Sequence, residues 1–169
     1  MKQARGEPNP PNRWWRILTL VTPVLNDRRA DFLGKSSPVH FFWGGFDVAV
    51  TRFSGRRAPE RPGADAVTRE SYSHEVISHG FWPGSGDVTE PSFYAYAAPE
   101  PAGFKTTAAQ PRAAFYSTGF NEFILPYEAV RASRSPDDDL VAFLTTTYDA
   151  AATLGAWNRD ELERKELPV

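Results

Sequence analysis

The sequence predicts one α+β domain, a small and mainly antiparallel sheet packed against an N-terminal helical segment and a long C-terminal helix. Three observations lead to this class. A helix with both start and stop signals lies near the C-terminus, short alternating segments bounded by Pro and Gly fill the middle, and apolar residues at helical spacing lie near the N-terminus. At 169 residues with 41% hydrophobic content, one domain buries roughly 70% of its unfolded surface, and a second full domain is not expected.

Residues Met1 to Asn12 combine Pro8, Pro10, Pro11 and Gly6 with charges and little that is apolar. Nothing there offsets the entropy of ordering, so a disordered leader is expected over 1–12 and the domain itself over 13–157. From Arg13 to Leu33, Trp14, Ile17, Leu18, Val21, Leu25, Phe32 and Leu33 approximate helical spacing. Pro23 removes a backbone donor and crowds the preceding turn, which predicts two short helices or a kink near Thr19, with Gly34 as the stop.

The run Pro38 to Arg56 concentrates aromatics, branched residues, His40, Asp47, Arg52 and Arg56. As one straight strand it would put Val39, Phe41 and Trp43 on the face opposite Phe46, Val48 and Val50. A two-residue Gly44-Gly45 hairpin turn, or a bulge, reunites those six on one side and leaves His40, Phe42, Asp47 and Ala49 on the other. A Pro-, Gly- and Arg-rich loop is expected from Ser54 to about Ala66. Tyr72 to Trp82 and Phe93 to Ala97 read as strands, and Ala113 to Leu125 as a hairpin reversing at Thr118 to Asn121. The final helix starts at Ser135 with Pro136 in its first position and Asp137, Asp138 and Asp139 at the positive end of the dipole. Leu140, Phe143, Leu144, Tyr148, Ala151 and Leu154 form its apolar stripe and Gly155 ends it. The charged tail, 158–169, is expected to be frayed or a short exposed helix.

Composition limits the function classes. A formal charge of −2 and a pI near 5.9 provide no bulk positive field, so neither nucleic acid nor an acidic membrane is an expected partner. The absence of Cys excludes disulfides, thiolate zinc sites and cysteine nucleophiles, and fits a reducing, cytoplasmic setting. The apolar stretch Trp14 to Leu25 is too short to span a bilayer and lacks a cleavage pattern. No nucleophile elbow, kinase, dinucleotide-binding or calcium-loop signature is present, and Pro83-Gly-Ser-Gly-Asp87 lacks the Lys-Ser/Thr ending of a phosphate loop. No cofactor is expected, and the sequence says nothing of oligomeric state.

Candidate chemistry is carried by a few residues. His74, Glu75 and His79 imitate a zinc-protease motif, but the histidines are five apart. Neither a helix nor a strand then aims both at one ion, so no metal site is expected and a structural role competes with His74 and Glu75 acting as an acid/base pair. With the hairpin, His40 opposes Ala49 and Asp47 lies diagonal to it, about 5 to 8 Å away, where a carboxylate prepares an imidazole for general-base work. The alternative is a structural contact at a sheet end. Arg52, Arg56, Arg57 and Arg61 form the dense positive cluster, suited to an anionic group or to a solvated loop. Tyr94 and Tyr96 share a strand face and, with Trp43, Phe81 or Trp82, provide either ligand-stacking walls or a ring-rich core.

These motifs, Pro38-Val-His-Phe-Phe-Trp-Gly-Gly-Phe-Asp-Val-Ala-Val-Thr-Arg-Phe-Ser-Gly-Arg56 with Tyr72-Ser-His-Glu75, Gly80-Phe-Trp-Pro-Gly84, Phe93-Tyr-Ala-Tyr96 and Leu125-Pro-Tyr127, resemble a bacterial family catalogued only as a domain of unknown function. The resemblance runs from near Asp31 to Trp157. It implies longer members to whose C-terminal half this truncated chain corresponds, and it implies no activity. The residues themselves suggest a domain that binds or transforms a small, anionic molecule. His40, Asp47, His74 and Glu75 are then catalytic candidates, and Arg52, Arg56, Trp43, Trp82, Tyr94 and Tyr96 ligand-binding candidates. The alternative is a non-catalytic structural or interaction domain whose aromatics are core.

Overall fold

The computed structural model describes residues 10–86 and 88–165. In chain order they form helix α1 (Pro10–Ala30), strands β1 (His40–Phe42) and β2 (Asp47–Arg57), helix α2 (Ala66–Ser71), strands β3 (His74–Trp82) and β4 (Ser92–Ala98), and a 3-10 turn (Phe104–Thr106). Strands β5 (Phe115–Ser117) and β6 (Glu122–Pro126) and helices α3 (Tyr127–Arg131), α4 (Pro136–Leu154) and α5 (Arg159–Leu162) follow. The strands make one six-stranded sheet in the order β1-β2-β3-β4-β6-β5, antiparallel at every step. This is the expected α+β arrangement, with helices at both ends of the chain.

Strand alternation sorts the side chains onto two faces. Val48 pairs with Phe81 and Val50 with His79, Phe81 with Phe93 and His79 with Ala95, and Phe93 with Leu125. On this face α1 lays Ile17, Val21 and Leu25, and α4 lays Leu140, Phe143, Leu144 and Ala151, making one core with Phe32 and Trp157. Phe81, Phe143, Leu25 and Leu125 are fully buried, each stabilising by about 1.5 to 3 kcal/mol relative to exposure. The second face carries Ala49, Ser78, Gly80, Tyr94, Tyr96 and Ile124, with Trp82 and Val88 packed beside them.

Several expectations need correction. The first helix runs unbroken through Pro23; the amide that proline lacks is outweighed by burial of Val21 and Leu25 on either side of it. Pro10 to Asn12 already belong to this helix, and the rest of the expected leader, 1–9, lies outside the described residues. The β1–β2 reversal has the expected register, His40 opposite Ala49, but its turn is four residues, Trp43 to Phe46, with Phe46 at φ 55. Strand β2 continues to Arg57 across an irregularity after Phe53 instead of ending in a loop. Helix α2, unexpected, is capped by Asp65, whose carboxylate accepts from Val67 N (2.9 Å) and Thr68 N (3.0 Å).

Helix α4 has the expected bounds, although the Ser135 hydroxyl makes no capping bond and its start rests on Pro136 and the three acids. In the charged tail, α5 and the residues after it dock against the end of α1: Leu33 N donates to Leu162 O (2.7 Å) and Arg164 N to Asp31 O (2.8 Å). Among the described residues, no helix is long and apolar enough to cross a membrane.

Candidate functional site

Sheet register sends the expected site residues to opposite sides. His40, Asp47, His74, Trp82, Tyr94 and Tyr96 belong to the second face, whereas Arg52, Arg56 and Glu75 belong to the helical one and Trp43 sits in the β1–β2 turn. They do not form one pocket.

On the second face, Asp47, Tyr94 and Tyr96 do converge. Tyr94 Oη donates to Asp47 Oδ2 at 2.5 Å, and the Tyr94 and Tyr96 rings stack with centroids 6.1 Å apart. Burial, followed by the Asp47 charge, pushes the Tyr94 hydroxyl up in pKa, and burial does the same for Tyr96. Glu122, which no strand pattern singles out, stands close by; its carboxyl is pushed up to about 7 by burial and by Asp47. Trp82 packs edge-on against Phe120, and its indole N–H is buried with no hydrogen-bond partner among the described residues. His40 is exposed and meets the Phe42 ring at 4.1 Å, while Asp47 spends its hydrogen bond on Tyr94. His74 contacts Ser73 Oγ at 3.2 Å.

The arginine cluster is dispersed. Arg56 donates to Glu75 Oε2 (2.7 Å) and to the carbonyls of Gly155 and Ala156, so Arg56 and Glu75 tie β2 and β3 to the end of α4. Arg57, Arg61 and Arg69, all exposed, border a separate hollow beside Tyr72. Trp43 is 83% exposed, and its ring meets those of Phe41 and Phe46, neither of them a candidate.

Arg52 behaves differently. It is in phase with Val48 and Val50 and therefore enters the core face, where it is only 5% exposed. Its Nη2 donates to Arg28 O (2.7 Å) and its Nη1 approaches His79 Nδ1 at 3.2 Å. The guanidinium lies 5.1 Å from the Tyr148 ring and 6.0 Å from the Phe32 ring. Burial pushes its pKa down to about 10, so it remains cationic at neutral pH. Among the described residues no carboxylate lies within ion-pair distance of it.

Arg52 forms part of the wall of a cavity of about 380 Å³ between the end of α1, α4 and α5, together with Arg28, Phe32, Leu144, Tyr148 and Arg159. The neighbouring cations are matched internally. Arg28 pairs with Asp31, and Arg159 with Asp149 (2.5 Å) and Glu163 (2.5 Å), the latter also accepting from Tyr148 Oη at 2.9 Å. A buried charge with no contacting carboxylate costs several kcal/mol of desolvation, which the more distant Glu163 offsets only in part, so Arg52 marks the cavity as a place suited to a negative group. Among the described residues, no group of three or more His, Asp or Glu side chains is placed to hold a metal ion.

Thr147, Tyr148, Glu122 and Arg159 were absent from the sequence-based candidates, and His79 was weighed there only as a metal ligand. A signal existed for His79, which alternates in phase with Ile77 and Phe81, just as Arg52 does with Val50. A polar residue in step with an apolar strand face is one that must be paired inside. Nothing local in the sequence points to Arg159 or Glu122, whose roles depend on how distant elements meet.

No curated protein and no solved structure matches the chain. A family model described as a family of unknown function (DUF5996) matches residues 2–164. That match extends N-terminally beyond the motifs noted in the sequence, across the whole sheet and the helices that build the cavity, and the chain belongs to this family.

Proposed function

We propose that the chain is a small-molecule-binding domain whose ligand presents an anionic group to Arg52 in the cavity between α1, α4 and α5. The observation that supports it is the combination at one residue of deep burial, positive charge and no carboxylate within ion-pair distance among the described residues. Buried arginines are ordinarily neutralised by a carboxylate, and here the unoccupied donors border a cavity in the size range of metabolite pockets. The catalytic candidates His40, Asp47 and His74 lie on the other face of the sheet and Glu75 is held by Arg56, so the reading is one of binding rather than of transformation. A reducing, cytoplasmic setting is part of this reading, supported by a chain with no Cys.

Thermal unfolding of the full chain in a panel of small carboxylates, phosphate and sulfate, at fixed ionic strength, tests the proposal. At least one anion should raise Tm in a saturable way, and Arg52→Gln should abolish the rise. If every anion acts on the wild-type protein only as chloride does, the proposal falls.

A further inference from the structure

We infer that the cavity selects a monocarboxylate with an apolar stem over a tetrahedral oxyanion, because His79 holds Arg52 as a fixed planar fork; this rests on the anion-binding reading above. Arginine only donates, so the ring nitrogen of His79 that faces it, Nδ1, carries no proton. The proton is then on Nε2, which donates to Thr147 Oγ1 at 3.0 Å. Thr147 passes its own hydrogen to Phe143 O at 2.6 Å. The chain of donors therefore has one direction, from Arg52 through a neutral imidazole to the backbone of α4. Full burial and the adjacent guanidinium both hold the imidazole well below its ordinary pKa, in keeping with that tautomer.

Two of the five Arg52 donors are used, one on His79 and one on Arg28 O. The remaining three have no partner among the described residues, enough for the two parallel hydrogen bonds of a planar carboxylate. Neighbouring cations at the cavity are matched by Asp31, Asp149 and Glu163, and Arg164 and Lys165 sit at its exposed rim. A single guanidinium whose charge is already felt by Glu163 suits a singly charged group better than a phosphomonoester, which carries about −1.5 to −2. Phe32, Leu144 and Tyr148 provide apolar wall beside the guanidinium. A guanidinium held by the sheet, by α1 and over a ring has its orientation set before the ligand arrives. His79 is a positioning residue in this scheme and touches no ligand.

The test compares benzoate, phenylphosphonate and neutral benzamide by calorimetric titration into the full chain, three probes with one stem and different heads. Benzoate should bind about tenfold or more tightly than phenylphosphonate, with no measurable heat from benzamide. Arg52→Lys, which keeps the charge and loses the fork, should reduce that preference to about threefold or less. His79→Asn, which restores an acceptor at the δ position, should retain the preference, and His79→Leu should lose it. Equal or tighter phenylphosphonate binding overturns the inference, as does undiminished preference in Arg52→Lys. If phosphate or sulfate binds and benzoate does not, the carboxylate assignment fails and the anion-binding reading stands; if no anion binds, both fail.

Discussion

Tyr94 lies across Gly80: a Cβ added at position 80 would sit 2.6 Å from Tyr94 Cε1 and nearer still to Cζ and Oη. Only because that carbon is missing does the phenol cross from β4 over β3 to reach Asp47 on β2. Gly80→Ala must displace the ring, and we expect a loss of about 1 to 3 kcal/mol from overpacking, measured by urea unfolding. In a Tyr94→Ala background the same substitution should cost less than about 1 kcal/mol, because the two sites share one space. Equal costs in both backgrounds would refute the packing relationship.

Glu122 should make stability depend on pH between about 4.5 and 7. Its folded pKa is raised from 4.5 to about 7, so the fold favours the neutral carboxyl. That contribution is fully present below about pH 4.5 and lost as pH rises through 7. The groups facing it are Asp47 from β2, Tyr94 and Tyr96 from β4 and Tyr116 from β5. The shift corresponds to roughly 3 kcal/mol at full strength, and partial exposure reduces it to about 1 to 2. Glu122→Gln should therefore be more stable than wild type by that amount at pH 8 and indistinguishable from it at pH 4, in paired denaturant titrations.

Arg56 joins three elements through one side chain, so its removal should act on the end of α4 as well as on the sheet. Its Nε and Nη2 donate to Glu75 Oε2 at 2.9 and 2.7 Å, and its Nη1 to Ala156 O at 3.1 Å. The side chain is 48% exposed, so Arg56→Ala should cost only about 1 kcal/mol. Arg56→Lys should recover less than half, since an ammonium lacks the fork that spans both sets of acceptors. High salt should weaken the Glu75 part and leave the carbonyl part in place. Urea midpoints for the three proteins at low and high salt separate these terms.

The last helix was legible because its signals are local: Pro136, Asp137 to Asp139 and Gly155 are neighbours of the turns they govern. The β1–β2 register was legible because Val39, Phe41, Val48 and Val50 agree on a face only if the chain reverses between them. The length of the turn was not, since Phe46 adopts a positive φ that no local pattern requires. The cavity was hidden for a different reason. Arg52, Tyr148 and Arg159 come from β2, α4 and α5, and reading arginines by their closeness in sequence grouped Arg52 with Arg56, Arg57 and Arg61, from which strand alternation and the later bulge separate it.

Thr147 decides whether His79 can remain a neutral acceptor for Arg52. It is 1% exposed, receives the His79 Nε2 proton and passes its own to Phe143 O. Valine has nearly the same shape and no hydroxyl, so Thr147→Val leaves a buried N–H without a partner, at about 1 to 3 kcal/mol. The imidazole has no escape by changing tautomer, because a proton on Nδ1 would face the donors of Arg52. We therefore expect a cost of about 2 to 3 kcal/mol for Thr147→Val and less than about 1 for Thr147→Ser, which keeps the acceptor. In a His79→Leu background the valine substitution should become nearly free, the excess reporting the coupling between the two residues. The ¹⁵N shifts of His79 give an independent check, with Nε2 protonated and Nδ1 bare in the wild-type protein. A Thr147→Val protein as stable as wild type, or an Nδ1-protonated ring, would show that the donor chain does not run from Arg52 to α4.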